Sequence, residues 1–236
     1  MNPTILLIIP AYNEEQNIRS LIDAISSIKY SYKVDVLIID DCSTDNTLAV
    51  CNELNLNVIN LPCNLGIGGA VQTGYKYANK NKYDIAIQVD GDGQHDPAFI
   101  VELLDPILNN EADMVIGSRY INKLGFQSTL IRRIGISYFS KLIKVLTKQE
   151  ITDPTSGFRA CNKRTVELFS KRYPVDYPEP ESIMYLKRKG YRIKEVPVHM
   201  KERVGGKSSI TSVRSIYYMT KVSLAILIDK MRKQVI

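Results

Sequence analysis

The stretch Ile85-Ala86-Ile87-Gln88-Val89-Asp90-Gly91-Asp92-Gly93-Gln94-His95-Asp96-Pro97 decides how this chain is read. A mostly apolar, partly β-branched run stops abruptly at three carboxylates, Asp90, Asp92 and Asp96, separated by two glycines. The run predicts a buried strand, and the remainder a loop at its C-terminal end. In open α/β sheets, ligands bind outside the carboxyl ends of the strands. Asp90 and Asp92 have only Gly91 between them. Hard oxygen donors at that spacing suit Mg²⁺ or Mn²⁺, which keep water and share substrate phosphates with one or two carboxylates. Gly91 and Gly93 allow a sharp turn and leave room for a bulky phosphate.

Outward from this loop, the first half of the chain repeats one theme. Thr4–Pro10 is a continuous apolar run that predicts a central parallel strand. A capping pattern at Asn13–Gln16 predicts a helix from there to about Ile25. Val34–Asp40 and Asn57–Leu61 predict two more strands, with a helix to about Leu54 between them. The loop Pro62–Gly69 predicts a helix from Ala70 to Lys80, Pro97 a helix start, and Met114–Gly117 a fifth strand. Strands alternating with helices argue βαβ units and a mostly parallel sheet. The second half is less regular. Leu130–Thr147 predicts a helix, Asp153–Arg159 a loop, Glu181–Lys189 a helix stopped by Gly190, and Arg192–Val198 an edge strand containing Pro197. Lys201–Ser209 reads as a polar loop, and the chain from Ser212 onward as one amphipathic helix.

Composition narrows the class. The 236 residues, 44% hydrophobic and 24% charged, are those of an ordinary globule of one domain with an appendage. A net charge of +6 favours anionic partners. Cys42, Cys51, Cys63 and Cys161 form no C-x-x-C pair, and two histidines cannot complete a zinc set. No basic leader or cleavage site precedes Thr4, and no apolar run approaches the roughly 20 residues a membrane span requires, so a protein of the cytoplasm is expected. The glycines from Gly66 fail the G-x-G-x-x-G pattern at Val71, and Gly206-Lys207-Ser208 lacks a P-loop's upstream glycine, which is Lys201. No Ser-His-Asp or Cys-His set is evident. His95 abuts the acidic loop, and His199 follows the edge strand.

Three segments, Pro10-Ala11-Tyr12-Asn13-Glu14-Glu15, Ile39-Asp40-Asp41-Cys42-Ser43-Thr44-Asp45 and Asp90–Pro97, together resemble the family 2 glycosyltransferases of the GT-A fold. Gly117-Ser118-Arg119, Ser156-Gly157-Phe158-Arg159 and Glu195-Val196-Pro197-Val198 are similar to the dolichol-phosphate mannosyltransferase-like branch, which moves a sugar from a nucleotide donor to a polyprenyl phosphate. The resemblance covers residues 4 to about 210. It implies an α/β, Rossmann-like, mostly parallel central sheet flanked by helices. Residues 1–211 would form the catalytic domain, and 212–236 a C-terminal amphipathic helix.

The same resemblance implies site residues. Pro10, Ala11, Tyr12, Glu14 and Gly66 would cradle the nucleotide-sugar with Asp40, which contacts base or ribose; Asp41 either shares that work or caps the following turn. Asp90, Asp92 and Gln94 would hold Mg²⁺ or Mn²⁺ on the diphosphate, neutralising charge on the leaving group. The implied reaction is one in-line displacement with inversion. An anionic lipid phosphate needs cations rather than a base, and Arg119, Arg132, Arg159, Arg203 and Lys207 are the expected set. If the acceptor is a sugar hydroxyl instead, Asp153, Glu179 and Glu181 are the candidate bases. UDP-glucose is the favoured donor, undecaprenyl phosphate the acceptor, and nucleic acid is not an expected partner. A catalytically idle nucleotide-sugar-binding subunit is the reading from another class.

The C-terminal helix carries its own expectation. From Lys201 onward, eight Lys and Arg face only Glu202 and Asp229. Apolar residues at 213, 216, 217, 224, 227, 228 and 231 fall largely on one face. Such a helix lies in the headgroup plane of a membrane, here the inner face, or packs on the domain or on a second copy.

Overall fold

In the computed structural model, which describes residues 2–123, 125–127, 129–201 and 212–231, the apolar runs become the centre of one sheet. Its strands are β1 (Thr4–Ala11), β2 (Lys33–Asp40), β3 (Val58–Asn60), β4 (Ile85–Gln88), β5 (Met114–Ser118), β6 (Arg159–Asn162) and β7 (Ile193–Pro197). They lie in the order β3-β2-β1-β4-β6-β5-β7. All pairings are parallel except those of β6, which runs antiparallel between β4 and β5. β7 is an edge strand, where Pro197 is tolerated.

Period-two burial makes the sheet two-faced. Leu6, Ile8, Leu37, Ile39, Ala86 and Met114 point into one core, shared with α3 (Gly66–Lys80), α5 (Leu130–Thr147), α6 (Lys163–Lys171), α7 (Pro178–Arg188) and α8 (Ser212–Met231). Ile5, Leu7, Ile9, Ile38, Ile87 and Val115 point into the other, covered by α1 (Ile18–Ser26), α2 (Thr47–Glu53) and α4 (Ile100–Leu108). Each such fully buried aliphatic side chain contributes roughly 1.5–3 kcal/mol of transfer free energy. The mostly parallel, Rossmann-like expectation therefore holds.

Several details differ from the sequence expectations. Asn13 takes a left-handed φ of 57° rather than starting a helix. Its Oδ1 accepts the Thr44 N–H at 2.8 Å, tying the β1 and β2 loops together, and α1 begins only at Ile18. α3 begins at Gly66, before Ala70, because Asp41 accepts the N–H groups of Leu65 and Gly66 at 2.7 and 2.8 Å. A Cβ on Gly68 would lie 2.0 Å from the Val175 carbonyl oxygen, so only glycine lets this helix end approach that loop. α7 starts at Pro178 rather than Glu181. β6 and α6 were not expected at all. α6 is opened by the Asn162 side chain, which accepts the Thr165 N–H at 3.0 Å.

α8 seats Val222 and Ile226, both 0% exposed, in the first core. Of the apolar stripe read from the sequence, Leu224, Leu227, Ile228 and Met231 are exposed, and the side chains at 213, 216 and 217 lie outside the described residues. Among the described residues, no helix is long and apolar enough to cross a membrane.

Candidate active site

Parallel pairing brings the ends of β1, β2, β4, β5 and β7 to one sheet edge, and antiparallel β6 starts there. Ala11 lies opposite Asp40, and the chain after Gln88 runs past Pro10, where the Gly91 N–H donates to the Pro10 carbonyl at 3.2 Å. The acidic loop is thus backed directly onto the β1 loop. A Cβ at Gly91 would meet that carbonyl at 2.9 Å.

The loop is rigidly held. Asp90 donates its N–H to His95 Nδ1 at 3.0 Å, and accepts the Gln88 Nε2–H on Oδ1 at 2.9 Å. His95 is buried, stacks on Phe158 with ring centroids 4.8 Å apart, and places Nε2 3.6 Å from Asp90 Oδ2. Asp92 Oδ1 accepts the Gln94 N–H at 3.0 Å. Gln94 is pinned to the segment after β7, accepting the Lys201 N–H on its carbonyl at 2.9 Å. Asp90 and Asp92 are both partly exposed on this held turn. Beside them a Cβ on Gly93 would touch nothing within 4 Å. Among the described residues, no group of three or more His, Cys, Asp or Glu forms a metal cage, at this loop or elsewhere, so the protein offers two carboxylates and not a closed site. This donor set fits a hexacoordinate Mg²⁺ or Mn²⁺ that takes its other ligands from water and a diphosphate.

On the other flank, Tyr12 is exposed at the mouth, whereas Ala11 and Glu14 are buried. Glu14 donates its N–H to Thr47 Oγ1 and accepts the Asn17 amide at 2.6 Å, which steadies the loop from behind. Asp40 and Asp41 are both buried, and it is Asp40, not Asp41, that takes the hydrogen bond of the following turn. Asp40 Oδ1 accepts from the Ser43 N–H of the following turn at 3.2 Å, while Asp41 reaches across to Leu65 and Gly66. Burial pushes the Asp41 carboxyl up from its ordinary range, against the two N–H bonds that lower it.

The second-half residues separate. Arg119 makes a two-pronged pair with Asp153, Nε to Oδ2 at 2.7 Å and Nη2 to Oδ1 at 2.8 Å. Burial works against the guanidinium's charge, but the Asp153 carboxylate outweighs it and raises its pKa; Asp90 adds to that. Asp153 is 0% exposed, and its backbone N–H is fixed by Glu195 Oε1 at 2.8 Å. It holds Arg119 at the edge, with both carboxylate oxygens engaged by that guanidinium. The expectation for Arg159 is corrected. It is 1% exposed, and donates to the carbonyls of Ser156 (2.7 Å) and Pro154 (3.1 Å) and to Ser182 Oγ (2.7 Å). It ties the loop before β6 to α7 and does not present its guanidinium to an acceptor. Arg132 is partly buried near the start of α5; Arg203 and Lys207 lie outside the described residues. His199 is exposed and packs on Phe99. Glu179, in the first turn of α7, is pushed up to about 7 by burial; nearby Arg159 lowers it and Asp90 and Glu181 raise it. Sequence reasoning missed Gln88, Gly157, Ser182 and Glu195 as supports. The signal for Gln88 was visible: it is the one polar residue inside the buried run.

Residues 6–169 match Glycosyl transferase family 2. The chain belongs to that family and is a glycosyltransferase. Among similar proteins is the UDP-N-acetylglucosamine–dolichyl-phosphate N-acetylglucosaminyltransferase of Methanococcus voltae, 33% identical over 214 residues that cover 82% of this chain and 84% of that one. The undecaprenyl-phosphate mannosyltransferase of Micrococcus luteus is 30% identical over 220 residues, covering 88% and 87%. A solved structure of glucosyl-3-phosphoglycerate synthase from Mycobacterium tuberculosis, in complex with Mn²⁺, UDP and phosphoglyceric acid, superimposes with a TM-score of 0.74 at 21% identity, covering 99% of this chain and 80% of that one. That likeness supports the GT-A fold.

Proposed function

We propose that this protein transfers a hexose from a nucleotide-sugar, with UDP-glucose the first donor to test, to a polyprenyl phosphate such as undecaprenyl phosphate. The observation that carries this reading is the meeting, at one sheet edge, of the Asp90–Asp92 turn with Arg119 held by buried Asp153. The names of the relatives above, which act on dolichyl and undecaprenyl phosphates, support the acceptor class. Asp90, Asp92 and Gln94 would hold Mg²⁺ or Mn²⁺, which when bound neutralises the charge of the departing nucleoside diphosphate. Pro10, Ala11, Tyr12, Glu14, Asp40 and Gly66 form the nucleotide side of the cleft, and Asp41 sets the Gly66 end of α3. A phosphate oxygen of the acceptor attacks the anomeric carbon, the bond to the donor diphosphate breaks, and the electron pair leaves with it, inverting the centre. Arg119 positions the attacking anion; Arg132, Arg203 and Lys207 are the further cations for its approach.

The lipid end of the reading rests on the α5 and α8 surface. Leu130 and Ile134 on α5, and Leu227, Ile228 and Met231 on α8, are exposed apolar residues among Lys141, Lys144, Lys221 and Lys230. Between α7 and α8 opens a cavity of about 420 Å³ lined by Tyr173, Val175, Met184 and Ile226. We infer a peripheral enzyme lying on the inner face of the cell membrane. Pairing of two copies through the same surface is the competing use of α8.

Glu179, with a pKa about 7 near Asp90, favours one second reading: a base for a sugar hydroxyl on a lipid-linked glycan. A thermal-shift panel of nucleotide-sugars with and without Mn²⁺, followed by competition between a short-chain polyprenyl phosphate and a neutral lipid-linked glycan, separates the two. Stabilisation by a UDP-sugar only with Mn²⁺ and faster transfer to the phosphate support the main reading. Faster transfer to the glycan hydroxyl favours the second.

A further inference from the structure

We propose that Gly157 is a positioning residue for Asp90: the turn entering β6 forms the seat that aims this carboxylate at the metal. The inference rests on the metal reading of Asp90 given above. Gly157 is buried, and its Cα faces the carboxylate so closely that a Cβ there would lie 2.9 Å from Asp90 Oδ2, 3.2 Å from Oδ1 and 2.8 Å from Gln88 Nε2. The rest of the seat comes from three directions. Gln88 donates its amide to Asp90 Oδ1 at 2.9 Å from below. Its own Oε1 is buried and finds no partner among the described residues, so the amide's bond to Asp90 is the one it makes. His95 accepts the Asp90 N–H, and its ring is stacked on Phe158, the residue after Gly157. Arg159 lies opposite Gln88 in the β4–β6 register and anchors the turn through the Ser156 carbonyl and Ser182 of α7.

This geometry makes an unusually clean separation between folding and function. The atoms that a Cβ would displace are the ends of two side chains, not backbone. The fold can accommodate alanine by turning Asp90 and Gln88 aside, and the metal seat cannot. The same path joins the metal loop to α7.

The test reads Mn²⁺ directly. Mn²⁺ is titrated into full-length wild type and Gly157→Ala in the presence of UDP, with free Mn²⁺ followed by its paramagnetic resonance signal. UDP is titrated without metal by calorimetry, and thermal midpoints are compared. Gly157→Ala is expected to weaken Mn²⁺ by about tenfold or more, the usual cost of disturbing groups that orient a metal ligand. Metal-free UDP affinity is expected to stay within a factor of about two, a change of under 1 kcal/mol. Gln88→Met removes the bond to Oδ1 while keeping a flexible chain of similar length and leaving Gly157 unchanged, and should shift Mn²⁺ affinity in the same direction; it decides the matter if the alanine variant does not fold. Unchanged Mn²⁺ affinity in either folded variant overturns the positioning role. Wild type that binds no Mn²⁺ overturns the metal reading itself, which is a separate failure.

Discussion

Asp40 and Asp41 are neighbours with the same side chain, buried to the same degree, and the structure gives them different work. Asp41 closes the start of α3, so Asp41→Ala strands the Leu65 N–H and leaves the Gly66 N–H only its bond to Asn64 Oδ1. That should cost on the order of 1–3 kcal/mol of stability, read as a lower thermal midpoint. Asp40 is buried at the end of β2 and accepts one hydrogen bond, from the turn at Ser43. Asp40→Ala should instead weaken UDP by about 1–3 kcal/mol in calorimetry; UDP affinity equal to wild type would remove Asp40 from the pocket. Arg119 requires a gentler change, because truncation would leave Asp153 buried and unpaired, at a cost of about 3–5 kcal/mol. Arg119→Lys keeps the charge and loses the planar fork. Transfer should fall more than donor binding does, and an equal fall in both would move Arg119 to the donor side.

At the scale of elements, the exposed stripes of α5 and α8 predict binding to anionic vesicles that weakens with salt, since each Lys or Arg near anionic lipid contributes roughly 1 kcal/mol. Ile134→Glu and Leu227→Glu should reduce sedimentation with such vesicles while leaving the fold intact, because both side chains are already exposed. Binding indifferent to lipid charge, salt and both substitutions would leave the stripes as a contact between copies. The elements that were legible in the sequence share a cause. β1, β2, β4 and β5 are apolar runs that a parallel sheet buries on both faces, and α5 spans Leu130–Thr147 as its pattern predicts. β6 was illegible because its four residues become a strand only through pairing with β4 and β5, which are distant in the chain. Arg159 was misread for the same reason. A cation beside Ser-Gly-Phe looks like a ligand until the turn folds its carbonyls around the guanidinium. The three carboxylates of the Asp90–Asp96 loop were legible because their chemistry is local; the turn beneath them is not.

At the scale of the whole molecule, one partly buried acid links the site to stability. Glu179 is raised from its ordinary 4.5 to about 7, so the unfolded chain releases this proton at lower pH than the native state does. Native stability from this group is full below about 4.5 and is lost as pH rises toward 7. Wild type should therefore lose stability relative to Glu179→Gln across that window, at up to about 1.4 kcal/mol per pH unit. Parallel pH–stability curves for the two would show that Glu179 titrates normally and weaken its candidacy as a base.

Metal-dependent transfer to a lipid phosphate at the sheet edge leaves a product whose linkage can be read. Purified enzyme is incubated with a UDP-sugar, undecaprenyl phosphate and Mn²⁺, and the lipid fraction is weighed by mass spectrometry. The expected product is a sugar joined to the lipid through a phosphodiester, lost on chelation and reduced at least ~100-fold in Asp92→Asn, as removal of a metal-organising carboxylate requires. Transfer undiminished by chelation and by Asp92→Asn, or a product carrying the sugar on a glycan hydroxyl while the lipid phosphate stays bare, would contradict the account.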